Sequence, residues 1–167
     1  MLKRFYPDYA VDSAYVIPYE QLYEQGIRGI IYDIDNTLVP HGAPADERSI
    51  ALMKRLKSIG YSIVLLSNNK RERVESFANC HNLPFIEKAN KPSRKNYLRA
   101  MAQMGTNEEN TIFVGDQLFT DVYGGKRTGV ISYLVKPINP KEEIQIVLKR
   151  YLEKIVLHYY RKEKGGQ

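Results

Sequence analysis

The sequence of 167 residues contains no tryptophan and only one cysteine, Cys80. A single cysteine excludes an intrachain disulfide, which is compatible with a reducing compartment. Because Cys80 falls in a predicted helix, we expect a small buried residue there rather than a nucleophile. No apolar run approaches the ~18 residues of a membrane-spanning helix. The first eight residues, MLKRFYPD, lack the apolar core of a secretory signal. These absences predict a globular, cytoplasmic protein.

The charge of the chain is basic and unevenly distributed. The formal net charge is +6 and the sequence pI is about 9.3. Residues 68–99 contain eight lysines and arginines against three glutamates. Such a cluster attracts anionic substrates when it borders a site, although an ordinary solvated surface explains most of these charges individually. Nucleic acid is not favoured as a partner, because no aromatic and glycine signature of a known binding module is present.

One apolar run ends at two aspartates. Residues 27–34 predict a buried strand, and Asp33 and Asp35 lie at its carboxyl end. Side chains alternate along a strand, so we expect both carboxylates to point the same way. Two neighbouring carboxylates require a cation or a shared proton. The pattern therefore predicts a metal site at the sheet edge where open parallel sheets bind ligands.

Three further polar motifs follow predicted strands. Ser67, Asn68 and Asn69 come after the run 61–66, and Lys91-Pro92 follows a short candidate strand around Phe85 and Ile86. The segment 115–121, GDQLFTD, comes after the run 111–114. Taken singly, Ser67 and Asp116 are explained as helix caps, and Lys91 as a surface charge. Their occurrence in series, each after a strand, favours one shared site.

The pattern Asp-x-Asp-x-Thr, followed in order by these three motifs, resembles the haloacid dehalogenase (HAD) superfamily of phosphotransferases. The sequence Asp-Asn-Thr-Leu-Val and the short insertions between the motifs resemble, more narrowly, the YqeG-type HAD phosphatases of the capless subclass III. The mitochondrial enzymes that dephosphorylate phosphatidylglycerophosphate are similar. The resemblance implies an α/β fold of three layers, α/β/α and Rossmann-like, around a parallel sheet of five strands in the order 5-4-1-2-3. The Asp33 strand is then central, and no cap domain is expected.

The resemblance also implies catalytic roles. Asp33 is the expected nucleophile, forming an aspartyl-phosphate. Asp35 is the expected general acid and base, for which we anticipate a raised pKa. Ser67 and Lys91 complete the catalytic set by contacting the phosphoryl oxygens.

Substrate and metal contacts follow from the same resemblance. The backbone amides of Asn36 and Thr37 are expected to cradle phosphoryl oxygens, and Asn68 is a further substrate contact. Mg²⁺ is the expected cofactor, because oxygen ligands with retained waters suit it. Its expected ligands are the Asp33 and Asp116 carboxylates and the backbone carbonyl of Asp35, with Asp121 as an outer or water-mediated contact.

The chain divides into an N-terminal arm, residues 1–26, and a single domain, residues 27–167. A short helix is predicted from Tyr19 to Gln25. The domain includes an amphipathic C-terminal helix over about 141–162, beginning near Pro140. Its apolar stripe predicts a helix that covers the sheet. Contact with an anionic membrane or with a protein partner are the alternatives.

The four ordered motifs and the family resemblance that they carry imply a Mg²⁺-dependent phosphomonoesterase with an open site, for which phosphatidylglycerophosphate is the substrate that the resemblance favours. Protein or nucleotide phosphates are alternatives. A non-catalytic phospho-receiver is the rival of another class, but receivers do not need an acid two residues after the nucleophile. Peripheral contact at the inner face of a membrane accompanies the lipid hypothesis. The sequence leaves the oligomeric state open.

Overall fold

Six parallel strands form one sheet in the order β1-β6-β5-β2-β3-β4. The computed structural model of the protein describes residues 2–139 and 144–165. The strands are β1 (Tyr9–Val11), β2 (Gly29–Tyr32), β3 (Ser62–Leu66), β4 (Phe85–Ile86), β5 (Thr111–Gly115) and β6 (Ile131–Val135). The order β6-β5-β2-β3-β4 is the predicted order 5-4-1-2-3, so that prediction is confirmed.

Helices cover both faces of this sheet. They are α1 (Tyr19–Glu24), α2 (Glu47–Ile59), α3 (Arg71–His81), α4 (Arg94–Met104), α5 (Tyr123–Thr128) and α6 (Ile144–Lys164). Alternate residues of β2 enter two separate apolar cores, because side chains alternate along a strand. Ile30 packs in the core built with α1, α2 and α3, whereas Ile31 packs in the core built with α4. The three-layer α/β/α class is therefore confirmed.

The predicted number of five strands is wrong by one. Residues Tyr9–Val11 pair in parallel with β6, with Tyr9 opposite Tyr133. This strand is three residues long and is not buried on either face, so it leaves no alternating pattern in the sequence. The N-terminal segment also reaches the main core, where Tyr61 Oη donates to the carbonyl of buried Tyr19 over 2.7 Å.

The connection between β2 and β3 consists of one loop and α2. Asp46 caps α2 by accepting the Ser49 amide over 2.7 Å, and Ser49 returns a contact in a capping box. Gly60 ends the helix with a φ of 118°, a conformation that glycine adopts without a steric penalty. Residues 33–91 are all described, and they include no cap domain.

Cys80 is exposed, contrary to the expectation that it is buried. Helix α3 turns Val74, Phe77 and Ala78 toward the core. With His81 these residues form one buried stripe, because positions spaced by three and four residues share a helix face. Cys80 has that spacing to Phe77 alone, so it lies at the edge of the stripe and is exposed. The position of the thiol is therefore set by helical phase, which the composition of the helix does not reveal.

His81, at the end of α3, is expected to make the free energy of unfolding decrease at acidic pH. Its Nε2 lies 3.4 Å from Ser49 Oγ, and its Nδ1 has no partner among the described residues. Burial and the nearby charge of Lys57 lower the pKa of His81. The folded state thus favours the neutral imidazole, whereas the unfolded chain takes up a proton near its ordinary pKa of about 6.5. The stabilisation is present above that pH and is lost as the pH falls through the lower, folded-state pKa.

We therefore expect His81→Gln to reduce the loss of unfolding free energy between pH 7 and pH 5. Urea denaturation at a series of pH values measures this loss. His41→Gln, at an exposed histidine, is the matched control and should leave the loss unchanged. Equal pH dependence in His81→Gln and the parent protein would show that His81 does not contribute.

The apolar stripe of helix α6 was predicted to pack on the sheet, and this prediction is wrong. The predicted start near Pro140 lies outside the described residues, as does the Ile144 side chain. Among the side chains of α6 that the structure describes, Val156 is the buried hydrophobic one, and it packs in a small core with Leu118 and Leu134. The stripe instead remains largely exposed at Val147, Leu148, Tyr151, Leu152, Ile155 and Tyr159. Among the described residues, no helix combines the length and apolarity needed to cross a bilayer.

Candidate active site

The carboxyl ends of β2 and β5 bring three aspartates together. Asp33 follows β2, and Asp116 and Asp121 follow β5, the strand that pairs with β2. All three are buried, and one carboxylate oxygen of each lies within 4.8 Å of the others. The sequence places Asp33 and Asp121 far apart, so this cluster is a product of strand order. It occupies the edge where parallel sheets bind ligands.

Lys91 is the counter-ion of this cluster. Its Nζ donates to Asp33 Oδ1 and to Asp121 Oδ1, each over 2.6 Å. Its backbone is held by Asn68, whose Oδ1 accepts the Lys91 amide over 2.7 Å and whose Nδ2 donates to the Lys91 carbonyl over 3.3 Å. Asn68, which we expected to contact substrate, thus uses its amide group to fix the entry of Lys91 into the site.

The Thr37 hydroxyl links the two strand ends. Its Oγ1 lies 3.3 Å from Asp33 Oδ2 and 3.2 Å from Asp116 Oδ1. One hydroxyl proton serves these two acceptors, so the two carboxylate oxygens converge on the same point. Asp121 is held from the other side, because its Oδ2 accepts the backbone amides of Asp116 and Gln117 over 3.1 Å each.

The electrostatics of the cluster favour an additional cation. Burial raises the pKa of Asp33 to about 6, against the lowering effect of Lys91. Burial, with the charges of Asp33 and Asp121, raises the pKa of Asp116 well above its usual value. The pKa of Lys91 is raised despite its burial, because Asp121 and Asp33 stabilise the ammonium. These carboxylates are therefore costly to ionise together without a further positive charge.

The Asp35 side chain points away from the other carboxylates and has a lowered pKa, and both findings differ from the sequence-based expectation. Its carboxylate does not join the cluster but accepts from the Gly42 amide over 2.7 Å and from Arg73 Nη2 over 2.9 Å. Asn69 Nδ2 also donates to it. Burial raises the pKa of Asp35, but these donors outweigh burial and the net shift is downward. The expected raised pKa is wrong, because the chain turns after β2 and aims Asp35 at helix α3.

The expected phosphate cradle is also not formed by the two backbone amides that we predicted. Asn36 has a φ of 62°, and its amide donates to the Val39 carbonyl over 2.8 Å. The Thr37 amide donates to the Ile34 carbonyl over 3.1 Å. The turn therefore uses both amides internally. The Asn36 side chain contacts the segment after β6 by accepting the Asn139 amide over 3.1 Å.

Ser67 lies where the sequence predicted, directly after β3 and buried. Its Oγ accepts the Asn69 amide over 3.1 Å, in the manner of the local cap that was the plainer explanation. The hydroxyl keeps its proton available as a donor, because accepting a bond uses only an oxygen lone pair. Both expectations for Ser67 are thus compatible with its position.

Like Arg73, the residues Arg150 and Glu153 of α6 contact the site without having been predicted as part of it. Arg150 is paired with the Asp116 carboxylate and donates to the Asp116 carbonyl over 2.5 Å. Glu153 is buried and accepts the Leu118 amide over 2.7 Å. Arg150 lies 34 positions from Asp116 in the chain, and a basic residue on an amphipathic helix carries no local signal of such a contact.

The residues present fit a divalent cation. Asp33, Asp116 and Asp121 offer the oxygen ligands that Mg²⁺ prefers. These three carboxylates and the Lys91 ammonium leave two negative charges, because the Arg73–Asp35 and Arg150–Glu153 pairs are each neutral. One divalent cation would balance that charge. The Asp121 oxygens accept from Lys91 and from two backbone amides, so Asp121 makes the most hydrogen bonds of the three.

The comparisons with known proteins agree with this geometry. Residues 41–129 match the family model of the haloacid dehalogenase-like hydrolases. The chain is 38% identical to the "Probable phosphatase YqeG" of Bacillus subtilis (strain 168), over 94% of this chain and 92% of that protein. It is 27% identical to phosphatidylglycerophosphate phosphatase 1, chloroplastic/mitochondrial, of Arabidopsis thaliana, over 89% of this chain and 48% of that longer protein.

A solved structure shows the same fold at low sequence identity. The cobalt-bound deoxy-D-mannose-octulosonate 8-phosphate phosphatase of Haemophilus influenzae superposes with a TM-score of 0.52. The match covers 80% of this chain and 89% of that one, at 15% identity. The family match spans more than half of the chain, and the Bacillus relative is similar over nearly its whole length. The chain therefore belongs to the haloacid dehalogenase-like hydrolases and is an enzyme of the phosphatase class.

Proposed function

We propose that this protein is a Mg²⁺-dependent phosphomonoesterase that acts on phosphatidylglycerophosphate at a membrane surface. The observation that carries the reaction type is the buried cluster of Asp33, Asp116 and Asp121 around Lys91. Hydrolysis of a phosphate monoester requires an anionic nucleophile to approach an anionic substrate. The cluster supplies a carboxylate as the nucleophile, and the Lys91 ammonium together with a bound cation would reduce its repulsion of an anionic substrate.

Asp33 is the nucleophile in this proposal. Its Oδ1 is oriented by Lys91, and its Oδ2 by Thr37. Attack by a carboxylate oxygen on phosphorus forms an aspartyl-phosphate and releases the alcohol. Asp33, Asp116 and Asp121 would hold Mg²⁺, which neutralises phosphoryl charge when bound. Lys91 adds a positive charge that needs no reorganisation during the reaction.

Asp35 is the general acid and base in this proposal, and its surroundings favour the second role. Against its burial, the Gly42 amide and Arg73 hold the pKa of Asp35 below its ordinary value. An ionised carboxylate accepts a proton readily from the water that hydrolyses the aspartyl-phosphate. In the first step the ester P–O bond breaks, and transfer of a proton to the departing alkoxide oxygen requires the less populated, protonated form of Asp35. We therefore assign the proton transfer from water as its main contribution.

The surroundings of the site support a lipid substrate. A groove of about 680 Å³ runs between α6 and the edge formed by β1 and β6, and Asp116 is among its lining residues. Its walls are largely apolar and include Val11, Leu134, Val135, Val147 and Leu157. No cap domain encloses the site between residues 33 and 91. An apolar groove that reaches Asp116, one of the three clustered aspartates, suits a substrate with a phosphate at one end and hydrocarbon at the other.

The exposed face of α6 supports a membrane location for the reaction. Leu148 and Tyr151 are 66% and 67% exposed. Basic residues on the same helix, among them Lys154, Arg161 and Lys162, are also exposed. An apolar face with basic neighbours binds the surface of an anionic bilayer. The Arabidopsis relative, and a relative from Chlamydomonas reinhardtii at 25% identity, are both named as phosphatidylglycerophosphate phosphatases.

The proposal predicts that Leu152→Asp selectively impairs hydrolysis of the lipid. Leu152 is 50% exposed on α6, so the substitution leaves the core intact and weakens contact with the bilayer. We expect activity on phosphatidylglycerophosphate in anionic vesicles to fall by about 10-fold or more, in line with losing one buried leucine. Activity on p-nitrophenyl phosphate should persist, and EDTA should abolish both activities. Phosphate release and vesicle co-sedimentation measure these effects.

Leu98→Asp is the matched control, because Leu98 is 46% exposed on α4. It should leave both activities and vesicle binding unchanged. A phosphopeptide and a nucleoside monophosphate test the alternative substrates. Higher kcat/KM on either of them than on the lipid would refute the proposed substrate. Full activity in EDTA would refute the proposed role of Mg²⁺.

A further inference from the structure

Helix α6 sends a guanidinium group into the carboxylate cluster. Arg150 Nη1 donates to the backbone carbonyl of Asp116 over 2.5 Å, and Arg150 Nη2 is paired with Asp116 Oδ2. The Asp116 side chain is fully buried, and that of Arg150 is only 15% exposed. Arg150 thus contacts both the backbone and the side chain of one residue. Such a two-point contact fixes orientation as well as charge, which a lysine at this position would not reproduce.

A second contact from α6 holds the same turn. Arg150 Nη1 also donates to Glu153 Oε2 over 3.0 Å, and Glu153 Oε1 accepts the Leu118 amide over 2.7 Å. Glu153 is 4% exposed, so this contact is also buried. Asp116 and Leu118 are therefore both bound to α6, one through Arg150 and one through Glu153. The turn that carries Asp116 is fixed by a helix that lies outside the four sequence motifs.

The two carboxylate oxygens of Asp116 therefore have different partners. Arg150 contacts Oδ2, whereas Oδ1 lies 3.2 Å from Thr37 Oγ1, the hydroxyl that also contacts Asp33. The guanidinium therefore occupies one side of the carboxylate and leaves Oδ1 directed at the other aspartates. Groups that orient ligating carboxylates by hydrogen bonds typically change metal affinity 10–100-fold when they are removed.

We propose that Arg150 is a positioning residue for cation binding: it orients Asp116, so that the cation site is complete only when α6 is docked. This inference rests on the proposed function, because it concerns the cation of that same site, and it assigns a role to a helix that no motif includes. Cation binding and the docking of α6 then stabilise each other, as linkage requires. Contacts made by the exposed face of α6 are thereby coupled to the chemistry at Asp116.

The test is the Mg²⁺ affinity of Arg150→Met, measured by isothermal titration calorimetry. We expect it to be about 10–100-fold weaker than that of the parent protein. Arg150→Lys should bind Mg²⁺ with intermediate affinity, because an ammonium restores the charge but not the two-point contact. Lys149→Met, at an exposed neighbour on α6, should bind Mg²⁺ as the parent does. Circular dichroism identifies the variants that are folded.

Hydrogen exchange provides a readout that is independent of activity. Mg²⁺ should slow amide exchange in α6 of the parent protein and of Lys149→Met, but not of Arg150→Met. If Arg150→Met does not fold, Arg150→Lys decides, and parental Mg²⁺ affinity in that variant would overturn the inference. Unchanged or tighter binding by folded Arg150→Met would also overturn it, and tighter binding would make Arg150 a competitor of the cation. Failure of the parent protein to bind Mg²⁺ would refute the proposed cofactor as well, whereas equal binding by all variants refutes the role of Arg150 alone.

Discussion

Asp33→Asn is expected to reduce phosphatase turnover by at least about 10⁴-fold, the scale at which removal of a nucleophile acts. A carboxamide is a poor nucleophile, and it cannot form the aspartyl-phosphate. The shape of the site should persist, because the asparagine oxygen can still accept from Lys91 at the position of Asp33 Oδ1. Turnover of p-nitrophenyl phosphate measures the loss, and acid-quenched mass spectrometry should detect the aspartyl-phosphate in the parent protein but not in the variant.

Asp12→Asn is the matched control for this substitution. Asp12 and its partner Lys136 line the groove, but the Asp12 side chain is 77% exposed and outside the carboxylate cluster. The control therefore removes one carboxylate without changing the cluster, and turnover of p-nitrophenyl phosphate, which does not need the groove, should stay close to that of the parent. Asp33 would not be the nucleophile if Asp33→Asn retained more than about one hundredth of the parent activity. A loss of only about 100-fold is typical of removing an acid–base group.

Asp35→Asn is expected to reduce turnover by about 10²-fold or more through loss of proton transfer. Its effect on Mg²⁺ affinity should be small, because the Asp35 carboxylate faces Arg73 and the Gly42 amide rather than the three clustered aspartates. If Asp35 mainly accepts a proton from water, the aspartyl-phosphate should accumulate in the variant. Rapid-quench kinetics would then show a burst of alcohol release followed by slow turnover.

The contrast with Asp33→Asn makes this prediction specific. Asp33→Asn removes a charge from the cluster and should weaken Mg²⁺ binding, whereas Asp35→Asn should not. An equal loss of Mg²⁺ affinity in the two variants would place the Asp35 carboxylate at the cation, contrary to its hydrogen bonds in the structure. Unchanged turnover in Asp35→Asn with a poor leaving group would remove Asp35 from acid–base catalysis.

Local patterns in the sequence were sufficient for the central fold. Apolar runs of strand length alternate with helical stripes, and this alternation predicts a parallel sheet. The resemblance carried by the motifs then gave the strand order, which β6-β5-β2-β3-β4 confirms. Caps were also readable, because Asp46 and Gly60 act within a few residues of themselves. The alternation and the caps depend on interactions between positions close in the chain, whereas the strand order pairs distant positions and rested on the resemblance.

Features that depend on distant partners were predicted poorly. Strand β1 has only three residues, and its pairing with β6 joins positions more than 120 residues apart. The exposed stripe of α6 has the pattern of a covered one, because amphipathicity states which face is apolar and not what lies against it. Cys80 was misplaced for a related reason, since burial depends on which face of α3 meets the core.

The sequence by itself determined which residue types stand at the carboxyl ends of the strands, and therefore that Asp33, Lys91 and Asp116 meet at one edge. Tertiary structure alone decided what surrounds each carboxylate. The turn at Asn36 directs Asp35 to the Gly42 amide and to Arg73, and these donors lower the pKa of Asp35, which burial alone would raise. The docking of α6 brings Arg150 to Asp116. Desolvation and the interaction between charges depend on distances in space, and a pattern along the chain does not contain those distances.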